Sequence, residues 1–129
     1  MAAAIIASDP ARADGNPRKG AALFLTCNAC HQVGVGARNA VGPILNDIVG
    51  RRAATRSGYA YSRGMQEAGV EGLRWTETTL DGYIENPRVY LRGTRMAFSG
   101  IRDAASRRDL IAYLKTLKFD SAAESRDFR

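Results

Sequence analysis

Apolar residues along this chain fall into short groups at helical spacing, separated by long stretches with no period. Gly20, Leu23 and Phe24 share one face of a segment that opens at Asn16-Pro17, with Asn as the cap and Pro at the first helical position. That segment leads directly into Cys27. Ser62 is placed to cap a short helix through Glu67. Thr76 caps a clearer helix whose stripe is Leu80, Tyr83 and Ile84, and Asn86-Pro87 stops it. Asp103 opens a last helix, with Leu110, Ile111, Leu114 and Leu117 at helical spacing and Tyr113 beside them. From Val33 to about Gly58 the chain is rich in Gly and Arg and reads as loop, as does Gly93 to Gly100. Phe119 to Arg129 is polar and is expected to fray. There is no strand alternation and no internal repeat. Loops this long in a small domain need an organiser other than secondary structure.

The 129 residues suffice for one domain and not for two. A domain of this size buries a limited core, so an internal cofactor would supply much of the missing apolar contact. No run of about 18 apolar residues occurs, so no segment as written spans a membrane. The formal charge is +6, carried mostly by arginine, since Lys19, Lys115 and Lys118 are the only lysines. The arginines are scattered among Asp and Glu, without the basic helix or aromatic interleaving that nucleic acid requires. The charge therefore reads as a docking surface for an acidic protein, with a merely solubilising face as the plainer alternative. Met1 to Ala7 is small and apolar, and Ala11-Arg12-Ala13 has the small-x-small form of a signal-peptidase site before Asp14. No positive region precedes it, so residues 1–13 read as the remnant of an export signal or a disordered leader. Residues 14–119 then form the domain and 120–129 a flexible tail.

Cysteine and histidine occur in one place only, Cys27-Asn28-Ala29-Cys30-His31. C-x-x-C-H is the attachment signature of c-type haem. On one helical turn, two thiols three residues apart can each reach a vinyl group on one porphyrin edge and form two thioethers. The next residue then offers its imidazole to the iron. A redox disulfide, a zinc site and a chance match are the alternatives. The first would want a βαβ context and no following His, and the second a fourth ligand. With one histidine, the sixth ligand falls to Met, Lys, a weaker group or water. Outside the leader the methionines are Met65 and Met96. Methionine is usually core filler, but Met96 sits in a loop, behind Arg92-Gly93-Thr94-Arg95, and not on an apolar stripe. A His/Met pair raises the reduction potential and fills the last coordination position, which argues for a carrier over an enzyme.

The wider sequence resembles class I cytochrome c, of the mitochondrial cytochrome c and bacterial cytochrome c2 group, over roughly Lys19 to Lys118. After the haem motif come Val41-Gly42-Pro43, Gly50-Arg51 and Gly58-Tyr59-Ala60-Tyr61-Ser62. Trp75, Thr79-Leu80, Tyr83 and Glu85-Asn86-Pro87 follow. Gly93-Thr94-Arg95-Met96-Ala97-Phe98-Ser99-Gly100 and Asp109-Leu110-Ile111-Ala112-Tyr113-Leu114-Lys115 complete the order. The resemblance implies an all-α class I cytochrome c fold, helices and long loops wrapped around one covalent haem c and its iron. It implies Cys27, Cys30 and His31 as attachment and ligand, Met96 as sixth ligand, and the Pro43 carbonyl as partner of the His31 ring. Arg51, Tyr61 and Trp75 should satisfy a buried haem propionate, with Ser62 and Thr94 nearby. Tyr83 should lie beside the Met96 sulfur, and Phe98 should cover the haem face. Gly20 and Phe24 should cross the last helix near Leu110 and Tyr113.

Three departures from the family pattern matter. Arg92 holds the place of a proline, so the Met96 loop should be less stiff. Met65 holds the place of an asparagine that helps order an internal water near Tyr83. Arg88, Val89 and Arg95 stand where relatives place lysines that can displace the methionine at alkaline pH. The function implied is mobile one-electron transfer from a bc1-type complex or dehydrogenase to an oxidase or other acceptor, by a monomer. The place implied is a bacterial periplasm, with the mitochondrial intermembrane space second. Arg88, Arg92 and Arg95 would steer an acidic redox partner. A dedicated dehydrogenase subunit is the first alternative, a haem peroxidase or ligand sensor the second.

Overall fold

The computed structural model describes residues 15–119, so the expectations placed on 1–13 and 120–129 lie outside the described residues. Helix α1 (Pro17–Phe24) begins where the Asn16 side chain accepts the backbone N–H groups of Arg18 and Lys19, at 2.9 and 3.2 Å. These are two of the donors that a helix start leaves without partners. The last helix, α5 (Ala104–Lys115), starts the same way, with Asp103 accepting from Ser106 N at 2.9 Å. The start of α1 is tied to the body of α5, because Asn16 N donates to Asp109 Oδ1 at 2.8 Å. Between them α1 and α5 cross at Gly20. A Cβ there would be driven into the Asp109 carbonyl and would lie 2.7 Å from Tyr113 Cβ, so only glycine permits this approach. The fully buried Phe24 lies beyond the crossing, its ring 5.2 Å from that of Tyr113.

Helix α2 (Arg63–Val70) is capped by Ser62 and runs three residues past Glu67. Gly69 is helical and buried because the Ala53 backbone packs where a side chain would go. Helix α3 (Glu77–Glu85) opens with a reciprocal box, Thr79 N to Thr76 Oγ1 at 3.2 Å and Thr76 N to Thr79 Oγ1 at 2.9 Å. Asn86 is extended and ends it, and Pro87 then starts a single turn, α4 (Pro87–Tyr90), that periodicity could not reveal. The core gathers Phe24, Trp75, Leu80, Tyr83, Ile84, Leu110, Ile111, Leu114 and Leu117.

Among the described residues there is no strand, and one isolated antiparallel bridge joins Arg52 and Arg74. The long loops are pinned by polar side chains. Buried Asn46 exchanges hydrogen bonds with Gly34 in both directions, at 2.8 and 2.9 Å, and Asn39 links Ile44 N to the Ser57 carbonyl. Phe119 is held, where fraying was expected. Its N–H donates to Asp47 Oδ2 at 3.0 Å, and the Asp47 N–H reaches back to Leu117 O at 2.6 Å.

Candidate haem-attachment site

Helix α1 tightens at its end into a turn that leads to the cysteine motif, through Leu25 N to Ala22 O and Thr26 N to Leu23 O. Cys27–Ala29 forms one 3₁₀ turn. The Cys27 carbonyl accepts both Cys30 N at 3.0 Å and His31 N at 2.9 Å, so the motif wraps around a single oxygen. This puts the two thiols on successive rungs of one turn and the imidazole immediately after. The cysteines are half-buried and not joined to each other. Burial, helped by the neighbouring Cys30, pushes the Cys27 thiol above its usual value. Among the described residues no three His, Cys, Asp or Glu side chains gather as a metal cluster.

His31 is held by the segment that follows it. Gly42 N donates to Cys30 O at 2.8 Å and carries Pro43 across the ring, where the Pro43 carbonyl meets His31 Nδ1 at 2.7 Å. A carbonyl oxygen only accepts, so Nδ1 carries the proton and Nε2 keeps its lone pair for a metal. Burial lowers the proton affinity of the ring, against the opposing pull of Pro43. A Cβ on Gly42 would lie 2.6 Å from Nδ1 and 2.8 Å from Nε2, so glycine is required for this fit.

A second cluster lies around Met96. The Tyr83 hydroxyl meets Thr94 Oγ1 at 2.6 Å, and the same oxygen accepts Met96 N–H at 3.3 Å. Thr94 thus joins Tyr83 to the Met96 backbone. Tyr83 also packs on Trp75, centroids 4.9 Å apart, and burial raises its phenol above the ordinary value. Met96 and Phe98 are both partly buried against the core, as is Met65. The loop is seated on α2, where a Cβ on Gly64 would lie 3.3 Å from Gly93 Cα.

The residues expected at a propionate are only partly brought together. Trp75 N donates to Arg51 O at 2.8 Å, while Arg51 Nε goes to Thr55 Oγ1 at 3.1 Å. Tyr61 OH accepts the Arg56 N–H at 3.0 Å, and Arg51 and Arg56 both bear on its phenol, which burial nevertheless raises. The Ser62 hydroxyl is engaged as the cap of α2, accepting Met65 N at 3.1 Å. Sequence reasoning missed Arg56, whose Nη2 donates to Asn46 O at 2.5 Å, and Tyr59, whose OH donates to Val41 O at 2.6 Å. Tyr59 lies inside the Gly58-Tyr59-Ala60-Tyr61-Ser62 motif, but nothing in the sequence distinguishes Arg56 from the other scattered arginines. Two thiols on one turn, an imidazole of fixed tautomer and a loop thioether form a donor set that fits a covalent iron porphyrin.

The cytochrome c family model matches residues 17–118. The chain belongs to the cytochrome c family. It is 44% identical over 116 residues to a cytochrome c2 of Rhodomicrobium vannielii, covering 90% of each chain. It is 44% identical to cytochrome c-550 of Ancylobacter novellus, over 81% of this chain and 97% of that one. Its fold is similar to the solved cytochrome c2 of Rhodospirillum centenum, with a TM-score of 0.77, 37% identity, and coverage of 81% of this chain and all of the other. Cytochrome cH of Methylobacterium extorquens superposes with a TM-score of 0.72 at 37% identity, over 79% of this chain and 99% of that one. The cofactor is one haem c with its iron, bound covalently through two thioethers, and the chain's two cysteines stand at the attachment motif. The protein is an electron carrier. Among the described residues no helix is long and apolar enough to cross a membrane.

Proposed function

We propose that His31 Nε2 and the Met96 sulfur are the two axial ligands, and that the protein shuttles single electrons between periplasmic redox complexes as a monomer. The observation that carries this is the 2.7 Å bond from His31 Nδ1 to Pro43, which leaves only Nε2 free to ligate. When bound, the haem supplies a one-electron ferric/ferrous couple. His31 and Met96 would hold the iron of the bound haem, and a haem held by both would offer no open position to a substrate; this supports carrier over enzyme. Thr94 and Tyr83 hold the Met96 backbone, and Phe98 excludes water from that face. Arg51, Tyr61 and Trp75, with Ser62 and Thr94, serve the propionate side.

Arg88, Arg92 and Arg95 are exposed and flank the Met96 loop. They suit an acidic face on the partner, a bc1-type complex or dehydrogenase as donor and an oxidase as acceptor. Transfer rates should fall as salt rises, and a flat response would remove the steering claim alone. The visible spectrum of the periplasmically matured protein tests the ligation. A far-red sulfur-to-iron band in the oxidised form, with no response to carbon monoxide in the reduced form, is the expected result. Rapid carbon monoxide binding without that band would overturn it and bring the ligand-sensor or peroxidase reading forward.

A further inference from the structure

The strap that carries Met96, residues 92–102, ends against a buried arginine in another part of the chain. Arg107, in α5, is 7% exposed. Its Nε–H donates to Asp81 Oδ1 at 2.8 Å, and its Nη1 donates to the carbonyls of Ile101 at 3.0 Å and Arg102 at 2.9 Å. Nη2 lies 3.6 Å from Glu85 Oε2. One planar fork therefore spans α3, α5 and the two peptide groups that follow Gly100. The strap's end is pressed onto the C-terminus of α3 at the same place. Ile101 N donates to Ile84 O at 2.9 Å, the Arg102 guanidinium donates to the Glu85 carbonyl, and a Cβ on Gly100 would lie 2.8 Å from the Glu85 carbonyl carbon.

The upstream half of the strap is held at its middle by the part-buried Tyr83–Thr94–Met96 link and at its start by exposed side chains. Arg95 donates to the Ala60 carbonyl from an exposed side chain, and Arg92 is exposed, without the fixed φ of a proline. Exposed contacts are weakened by water and salt, whereas the Arg107 guanidinium is buried and its bonds are charge-assisted, although Asp81 and Glu85 are themselves half-exposed. We propose that Arg107 is a positioning residue for Met96, setting how often the strap lifts and so how readily the thioether is displaced by another ligand. The proposal rests on the reading of Met96 as an axial ligand.

A plain helix-to-helix bridge would not have this effect. Lys115 supplies such a bridge, with Nζ 3.2 Å from Glu77 Oε1, joining α5 to α3 without touching the strap. Lysine at 107 would keep the charge but could not reach Asp81 and two carbonyls at once, since an ammonium lacks the planar fork.

The test uses the haem-loaded ferric protein and three variants, R107K, D81N and K115M. Two local readouts are the temperature at which the far-red band fades and the rate of imidazole binding. Denaturant unfolding is the global readout. R107K should bind imidazole roughly tenfold faster, as expected when charge-assisted hydrogen bonds to the strap are lost. Its far-red band should fade well before global unfolding. D81N, which leaves the bonds to both strap carbonyls, should move the same way by less, and it stands in if R107K does not fold. K115M should move neither local readout. A far-red band and imidazole rate unchanged in R107K and D81N would overturn the proposal, as would equal effects in K115M. Absence of the band in the unmodified protein would instead overturn the Met96 reading, and this proposal with it.

Discussion

Gly42 stands so close to the His31 ring that a single methyl group on it would overlap the imidazole, 2.6 Å from Nδ1 and 2.8 Å from Nε2. The same segment supplies the Pro43 carbonyl to Nδ1 at 2.7 Å. Contact and hydrogen bond come from adjacent residues, so the ring cannot tilt away from one without straining the other. Gly42→Ala should therefore cost about 1–3 kcal/mol of stability, the usual range for forcing extra atoms into a packed site. It should also shift the reduction potential, because the imidazole orientation tunes the metal. Denaturant unfolding and a redox titration check both, and an unchanged potential would show that the ring relaxes without turning.

The hydroxyl pair Tyr83–Thr94 can be separated into its two halves. Thr94→Val leaves the buried Tyr83 hydroxyl without this partner and removes the acceptor of the Met96 N–H, costing about 1–3 kcal/mol. Tyr83→Phe leaves Thr94 still bonded to Met96 N and should cost about 0.5–1.5 kcal/mol. The order matters more than the values, and chemical denaturation of both variants tests it.

Tyr83 also carries a pH dependence. Burial is the larger influence and raises its phenol above the ordinary value, against the Thr94 hydrogen bond. The folded form then holds its proton longer than the unfolded form does. The stability linked to it is complete below the unfolded value of about 10 and is lost as pH rises through the folded value. Tyr61 is displaced in the same direction, also by burial. Tyr83→Phe should flatten, without abolishing, the decline in stability above that pH. Unfolding curves at several alkaline pH values measure it, and parallel slopes in the two proteins would contradict it.

Residues that act through their own neighbours in the chain were legible from sequence. Asn16, Ser62, Thr76 and Asp103 each cap the helix expected of them, since a cap needs only the next three residues. The attachment motif was legible for the same reason, and His31–Pro43 through the resemblance. What escaped depends on distant partners. The last turn of α2 exists because the Ala53 backbone accommodates Gly69, and Phe119 is held by Asp47. Arg56 and Arg107 look like any other arginine until the fold brings Asn46, Asp81 and the strap carbonyls to them.

The helix crossing offers a sharper packing test. At Gly20 the atom in the way is the Asp109 carbonyl oxygen, part of the α5 backbone, with Tyr113 Cβ 2.7 Å off on the other side. Neither can rotate aside as a flexible side chain would. Gly20→Ala should cost about 3 kcal/mol or more, despite alanine's better helix propensity. A lower denaturant midpoint at an unchanged slope is the expected signature. A gain in stability would mean that the crossing opens at no cost.

At alkaline pH the strap has no amine to offer. Its basic residues, and those just before it, are Arg88, Arg92, Arg95 and Arg102, and guanidinium groups stay protonated at any pH the fold survives. The lysines lie elsewhere. Lys115 pairs with Glu77, Lys118 reaches the Val49 carbonyl, and Lys19 is in α1. If Met96 leaves the iron as pH rises, the incoming ligand should not be an amine from residues 88–100. Arg95→Lys converts the position into a test of that reasoning. It places a group that loses its proton near pH 10 next to Met96, and it also breaks the contact with the Ala60 carbonyl. The variant should acquire a low-spin alkaline form with amine ligation, seen by electron paramagnetic resonance, at lower pH than any change in the unmodified protein. An amine-ligated form in the unmodified protein that survives replacement of Lys19, Lys115 and Lys118 would contradict the argument.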